Sequence, residues 1–174
     1  DIIADGASRD DRFLDPITGV MNTQGLQASI YELENNYKTN GEEYCYISLY
    51  VEGYDIVLSD YGVSVAHKLL KMLTGIIKTS FAKTAVISRN EGAAFGICEK
   101  GISISEVLDQ VSNCVTLINK TTEVDGRSCR LVAHYGASSS SEKDKGQNIL
   151  DFTNQKLHAG QKGRDANAKI KTEI

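Results

Sequence analysis

Hydrophobic positions along this chain recur at two different spacings, and the two alternate. Leu26, Ile30 and Leu33 are separated by four and three residues, which places them on one face of a helix. Asn22 or Thr23 supplies the cap that opens this helix, and Gly41 closes it. Residues 44–51 are aromatic and β-branched and read as a strand, closed by Glu52-Gly53-Tyr54-Asp55. A short helical stretch over 56–61 runs to Gly62. Ala66, Leu69, Leu70, Leu73, Ile76 and Ile77 then mark a strongly amphipathic helix ending near Phe81. Two short apolar runs, 84–88 and 93–98, flank Arg89-Asn90-Glu91-Gly92 and predict a β-hairpin. Ser103 or Ser105 caps the next helix, which carries Val107, Leu108, Val111, Val115 and Ile118 on one face. Residues 129–135 read as a further strand, and the serine-rich stretch 138–146 as a solvated loop. The last helix is expected over 149–157, broken by Gly160 and Gly163.

Helices and strands are interleaved, but one strand pair is a hairpin. The expectation is an α/β (α+β) sandwich: a mixed or antiparallel sheet with helices packed on it. No internal repeat is visible. Residues 1–14 read as a linker or the end of an upstream helix, 15–165 as one domain, and 166–174 as a polar, weakly basic tail with Lys169 and Lys171.

Composition narrows the function classes. The 174 residues are 41% hydrophobic and 24% charged, as in a folded globule. The formal net charge is −4 and the sequence pI about 5.4, which argues against a domain that grips nucleic acid through phosphates. No apolar run is long enough to span a membrane, and the N-terminal residues do not read as a signal peptide. With no initiator Met, the chain is expected to be a piece of something longer or a processed product. Cys45, Cys98, Cys114 and Cys129 show no metal-binding spacing and read as free thiols in a cytoplasmic protein. Pro16 is the one proline and sits in a turn, Asp15-Pro16-Ile17-Thr18-Gly19.

These segments, taken in order, resemble the GGDEF domain of diguanylate cyclases. That family opens on Asp-x-Leu-Thr-Gly-Leu-x-Asn-Arg-Arg. Residues 15–22, Asp-Pro-Ile-Thr-Gly-Val-Met-Asn, match it closely, with Thr23-Gln24 in place of the arginines. It closes on Ala-Asp-x-Ala-Leu-Tyr-x-Ala-Lys-x-x-Gly-Arg-Asn. Residues 152–165 follow that pattern loosely and keep Ala159, Gly163 and Arg164. The resemblance implies a nucleotide-cyclase-like sandwich, with a central, mostly antiparallel sheet of about five strands wrapped by helices. It also implies a family chemistry in which two GTP molecules, one on each half of a dimer, are joined into cyclic di-GMP. That chemistry needs carboxylates to hold Mg²⁺ on the triphosphate, a polar pocket for guanine, and amides and cations for the phosphates.

Position by position, the resemblance implies that this equipment is missing. The signature Gly-Gly-Asp/Glu-Glu-Phe falls on Glu91-Gly92-Ala93-Ala94-Phe95. The family's metal-binding aspartate at the end of the first strand becomes Tyr50, followed two residues on by Glu52, and the metal ligand of the signature becomes Ala93. The guanine-reading positions are Leu58 and His67. The closing lysine is Gly160. Arg164 remains, with a structural link to the turn around Asp15 as its expected role. The product-inhibition motif Arg-x-x-Asp becomes Ala82-Lys83-Thr84-Ala85.

The reading from sequence is therefore a catalytically inactive GGDEF-like domain, with no catalytic or metal-binding residues. It would be a regulatory or dimerising module of a bacterial cyclic di-GMP signalling protein. Its partners would be adjacent sensor or phosphodiesterase domains, with a homodimer possible in principle. No nucleic acid and no membrane contact are expected. The alternative is a GTP-sensing domain with a remodelled pocket built from Tyr50, Glu52, Leu58, His67 and Arg164. An active cyclase with unusual ligands is the third reading, and Mg²⁺ and GTP are expected only if the pocket still works.

Overall fold

The computed structural model describes residues 10–144 and 147–156. The expected turn at Asp15 is present: the Asp15 backbone N–H donates to the Val20 carbonyl at 2.7 Å, and the Gly19 N–H donates to the Asp15 carbonyl at 2.8 Å. Ahead of it, Asp11–Phe13 forms one 3₁₀ turn. Helix α1, Thr23–Asn40, is opened by Asn22, whose side chain accepts from the Gly25 N–H. Strand β1 is Tyr44–Glu52, helix α2 Tyr54–Tyr61 and helix α3 Val63–Ser80. Strands β2, Val86–Arg89, and β3, Ala94–Lys100, make the expected hairpin. Helix α4, Ile104–Asn119, is capped by Ser103, which accepts from the Glu106 N–H. Strands β4, Glu123–Val124, and β5, Arg127–Ser128, form a small ribbon, and β6 is Val132–Ser139. Residues 149–156 form helix α5.

The main sheet has the order β2-β3-β1-β6, with every neighbouring pair antiparallel. β1 therefore lies inside the sheet, and β2 and β6 are its described edges. Among the described residues the main sheet has four strands. The β4–β5 ribbon is separate, and Met21 adds only an isolated parallel bridge to Ser88 at the β2 edge.

Alternation along β1 builds both layers. Cys45, Ile47, Leu49 and Val51 point into the larger core, where Ala66, Leu69, Leu70, Leu73 and Ile77 of α3 meet Val107, Val111 and Ile118 of α4. Tyr44 and Tyr46 point the other way, into a second core with Leu26 and Ile30 of α1 and Ile149 of α5. The sheet is thus sandwiched, which is why β1 reads as almost continuously apolar rather than alternating.

Two expectations need correction. The strand expected over 129–135 begins later and runs on to Ser139, so part of the serine-rich stretch is sheet and not loop. Ser138 and Ser140 are buried. Their hydroxyls are satisfied, Ser138 accepting from Thr153 of α5 at 3.0 Å and Ser140 accepting from the Tyr44 N–H at 3.1 Å. Lys143 is buried as well, its Nζ donating to Glu34 Oε2 at 2.7 Å. The short helix also starts two residues earlier than expected, at Tyr54.

Candidate functional site

The site lies at the C-terminal end of β1, where the chain turns into α2. Gly53 makes that turn possible. Its φ is +111°, and a Cβ there would run into the carbonyl oxygen of Arg130. Helix α2 then presents Tyr54, Asp55 and Leu58 to one side of a cavity. The other side is the β2–β3 turn. Gly92, at φ +56°, closes it. Asn90 N–H donates to the Ala94 carbonyl at 2.8 Å, and Val51 N–H donates across to the Ala93 carbonyl at 3.0 Å. The cavity between them is about 570 Å³, lined by Tyr50, Val51, Tyr54, Asp55, Leu58, Arg89, Glu91, Gly92, Ala93 and Ala94.

Electrostatics divides these residues into two groups. Arg89 is engaged: Nη1 donates to Asp15 Oδ1 at 2.9 Å and Nε donates to the Gly92 carbonyl at 2.7 Å. Asp15 also accepts from the Thr18 hydroxyl at 2.6 Å and the Thr18 N–H at 2.9 Å. Burial pushes the Asp15 carboxyl up, but the Thr18 hydrogen bonds and Arg89 more than offset it, and it ends below its ordinary value. The carboxylates of Asp55 and Glu91, in contrast, form no ion pair among the described residues. The cavity therefore has aromatic and aliphatic walls and an acidic rim.

Tyr50 and Leu58 of the expected pocket and Glu91, Gly92, Ala93 and Ala94 of the signature segment line this cavity. Phe95 points away into the larger core and is fully buried. Glu52 is not part of the lining. It lies beside His134 of β6, Oε2 to Nε2 3.4 Å, and the His134 ring stacks on Tyr50 with centroids 6.1 Å apart. His67 is half-buried on α3 and does not line the cavity. Arg164 and Gly160 lie outside the described residues. Among the described residues, Asp15 is ion-paired with Arg89.

Nothing in the sequence marks Arg89, Tyr54, Asp55 or His134 as belonging to the site. Tyr54 and Asp55 lay in what read as the end of a strand, so their helical placement was hidden. Arg89 was visible only as a hairpin residue. Its partner is 74 positions away, a separation no local pattern carries.

The model of the family described as "Diguanylate cyclase, GGDEF domain" matches residues 12–166. The chain belongs to the GGDEF domain family. Solved members share its fold at low identity. The GGDEF domain of FimX from Pseudomonas aeruginosa is 19% identical, with a TM-score of 0.73, over 85% of this chain and 90% of that one. The coiled coil and GGDEF domain of DgcB from Caulobacter crescentus, in complex with c-di-GMP, is 14% identical with a TM-score of 0.79, over 90% and 84%. The diguanylate cyclase SiaD, in complex with its activator SiaC from Pseudomonas aeruginosa, is 15% identical with a TM-score of 0.76. That match covers 92% of this chain and 61% of SiaD. No curated protein matches significantly. Membership of the GGDEF family places the chain among domains of cyclic di-GMP signalling proteins. No helix among the described residues is long and apolar enough to cross a membrane.

Proposed function

We propose that this GGDEF domain does not make cyclic di-GMP and serves as a regulatory or dimerising module of a larger signalling protein. One observation carries the reading. Tyr50 and Ala93, which fall on the family's metal-ligand positions, line the same cavity and offer a phenol and a methyl group. Mg²⁺ takes oxygen ligands in near-octahedral geometry and is held on a triphosphate by one or two protein carboxylates. Active GGDEF domains use Mg²⁺ with GTP, and the residues present here do not fit that ion. Among the described residues no three His, Cys, Asp or Glu side chains are grouped closely enough to hold a metal.

The rim adds to this. A triphosphate entering the cavity would meet Asp55 and Glu91, while Arg89 is already held by Asp15 and the Gly92 carbonyl. Like charges at such range disfavour binding. Leu58, at the guanine-reading position, can neither donate nor accept a hydrogen bond. The base would leave polar edges unpaired, at a cost of about 1–3 kcal/mol per group.

The test is incubation of the purified protein with GTP and Mg²⁺ or Mn²⁺, followed by mass-spectrometric search for cyclic di-GMP. No product is expected. Product whose formation is abolished by Glu91→Ala or Asp55→Ala would overturn the reading. The retained cavity favours one alternative, a nucleotide sensor. A ligand at 100 times its Kd adds about 2.7 kcal/mol of stability. A GTP-dependent rise in Tm of several degrees would select that alternative.

A further inference from the structure

The cavity at the end of β1 is shaped and charged for a ligand unlike a nucleotide. We propose that it binds a small aliphatic diamine or polyamine, with one ammonium group on Asp55 and another on Glu91. The inference rests on the reading of the site as one that does not turn over GTP, and it names the class of ligand the site takes instead.

The first ground is where the two carboxylates stand. Asp55 belongs to the first turn of α2 and Glu91 to the β2–β3 turn, so they flank the cavity from opposite walls. Neither is ion-paired among the described residues. Arg89, the cationic side chain in the wall, is held by Asp15 and the Gly92 carbonyl and does not neutralise them. Carboxylates on opposite walls are not a compact ligand set for one metal ion, and they repel a phosphate. A chain molecule with a positive charge toward each end satisfies both at once.

The second ground is what lies between them. Tyr54 is 8% exposed, and its ring packs under the β2–β3 turn, with Cδ1 and Cε1 at 3.9 and 4.0 Å from where a Cβ on Gly92 would stand. The Tyr54 hydroxyl makes no hydrogen bond among the described residues and is not sealed in the core. It opens on the cavity as an unused acceptor for an ammonium N–H. The Tyr50 ring, backed by the stacked His134 ring, adds an aromatic wall that attracts a cation. Val51, Leu58 and Ala94 supply apolar surface for a methylene chain. A cavity of about 570 Å³ is ample for such a molecule.

Titration of cadaverine into the ¹⁵N-labelled whole chain at low salt, followed by amide NMR shifts, tests this. Saturable shifts are expected at Tyr54, Asp55, Gly92 and Ala94. Pentylamine, with one ammonium group, should bind about threefold more weakly, as expected for losing one exposed ion pair. The D55N and E91Q variants, each with a native near-ultraviolet spectrum, should weaken cadaverine binding by about the same factor. The neutral pentanediol should give no saturable shift. Shifts that are absent, that sodium chloride at equal ionic strength reproduces, or that both substitutions leave unchanged would overturn the proposal. So would equal binding of pentylamine or the diol. The GTP assay separates this result from the reading beneath it. No cadaverine binding, with no cyclic di-GMP formed, overturns the diamine site alone. Formation of cyclic di-GMP from GTP overturns the inactive-domain reading as well.

Discussion

At the scale of single residues, Asp15 is the most constrained group at the site. Its carboxylate is nearly buried, and Arg89 and Thr18 supply its partners. Removing one partner of a buried ion pair strands the other charge, at about 3–5 kcal/mol. Asp15→Ala should therefore lower stability by that order in chemical denaturation. The pH dependence follows from the direction of the shift. Its folded-state value lies below the ordinary 3.8, so the contribution is complete above that value and is lost as pH falls through the lower, folded-state one. Asp15→Asn should flatten the acid limb of the stability curve below about pH 4, measured by denaturant midpoints from pH 6 down to pH 2.

Gly53 is the second such position. A side chain there meets both a left-handed backbone and the Arg130 carbonyl. Gly53→Ala should cost at least about 2 kcal/mol, since strain alone accounts for 1–3. Because Gly53 launches α2, the same substitution should displace Tyr54 and Asp55, seen as a changed near-ultraviolet tyrosine signal. A native spectrum with unaltered stability would contradict this account.

At the scale of elements, helix α3 offers the opposite experiment. Gly75 is exposed in its interior, and nothing lies within 4 Å of where a Cβ would stand. Gly75→Ala should raise stability by about 1 kcal/mol, or roughly 2–4 °C in Tm for a chain of this size. A calorimetric scan that shows no gain would count against it.

Elements also show what the sequence could disclose. α3 and α4 were legible because their apolar residues recur at helical spacing and each buries a single face. β1 was legible because both its faces are covered, leaving an aromatic and β-branched run. Ser138 to Lys143 was not. Composition there says solvent, yet the hydroxyls and the ammonium find partners on β1, α5 and Glu34. Polar groups satisfied by distant elements look identical, in sequence, to polar groups satisfied by water. The same limit governed the site. The residues at the cavity that follow a family motif could be grouped beforehand. Arg89, whose meaning lies in a partner far along the chain, could not.

At the scale of the molecule, the two cores leave the thiols little access. Cys45, Cys98 and Cys114 are buried, and Cys129 is partly exposed. Burial pushes all four up, Cys45 to about 11. Ellman's reagent at pH 8 should therefore react with the native protein slowly, and first at Cys129. All four should react once the chain is unfolded in guanidinium. Fast native labelling of Cys98 would mean that the core under α1 opens far more readily than its packing implies.

The order of the sheet has a consequence for synthesis. Of the described strands β1 leaves the ribosome first, yet its neighbours, β3 and β6, begin at Ala94 and Val132. For that interval the nascent chain carries Tyr-Cys-Tyr-Ile-Ser-Leu-Tyr-Val-Glu with both edges open. It is rich in β-formers, free of proline, and charged only at its last residue, so it is a template for pairing with another nascent copy. Slowing translation just after β1 should therefore lower the soluble yield. A pause after β6, when both edges are covered, should leave the yield unchanged.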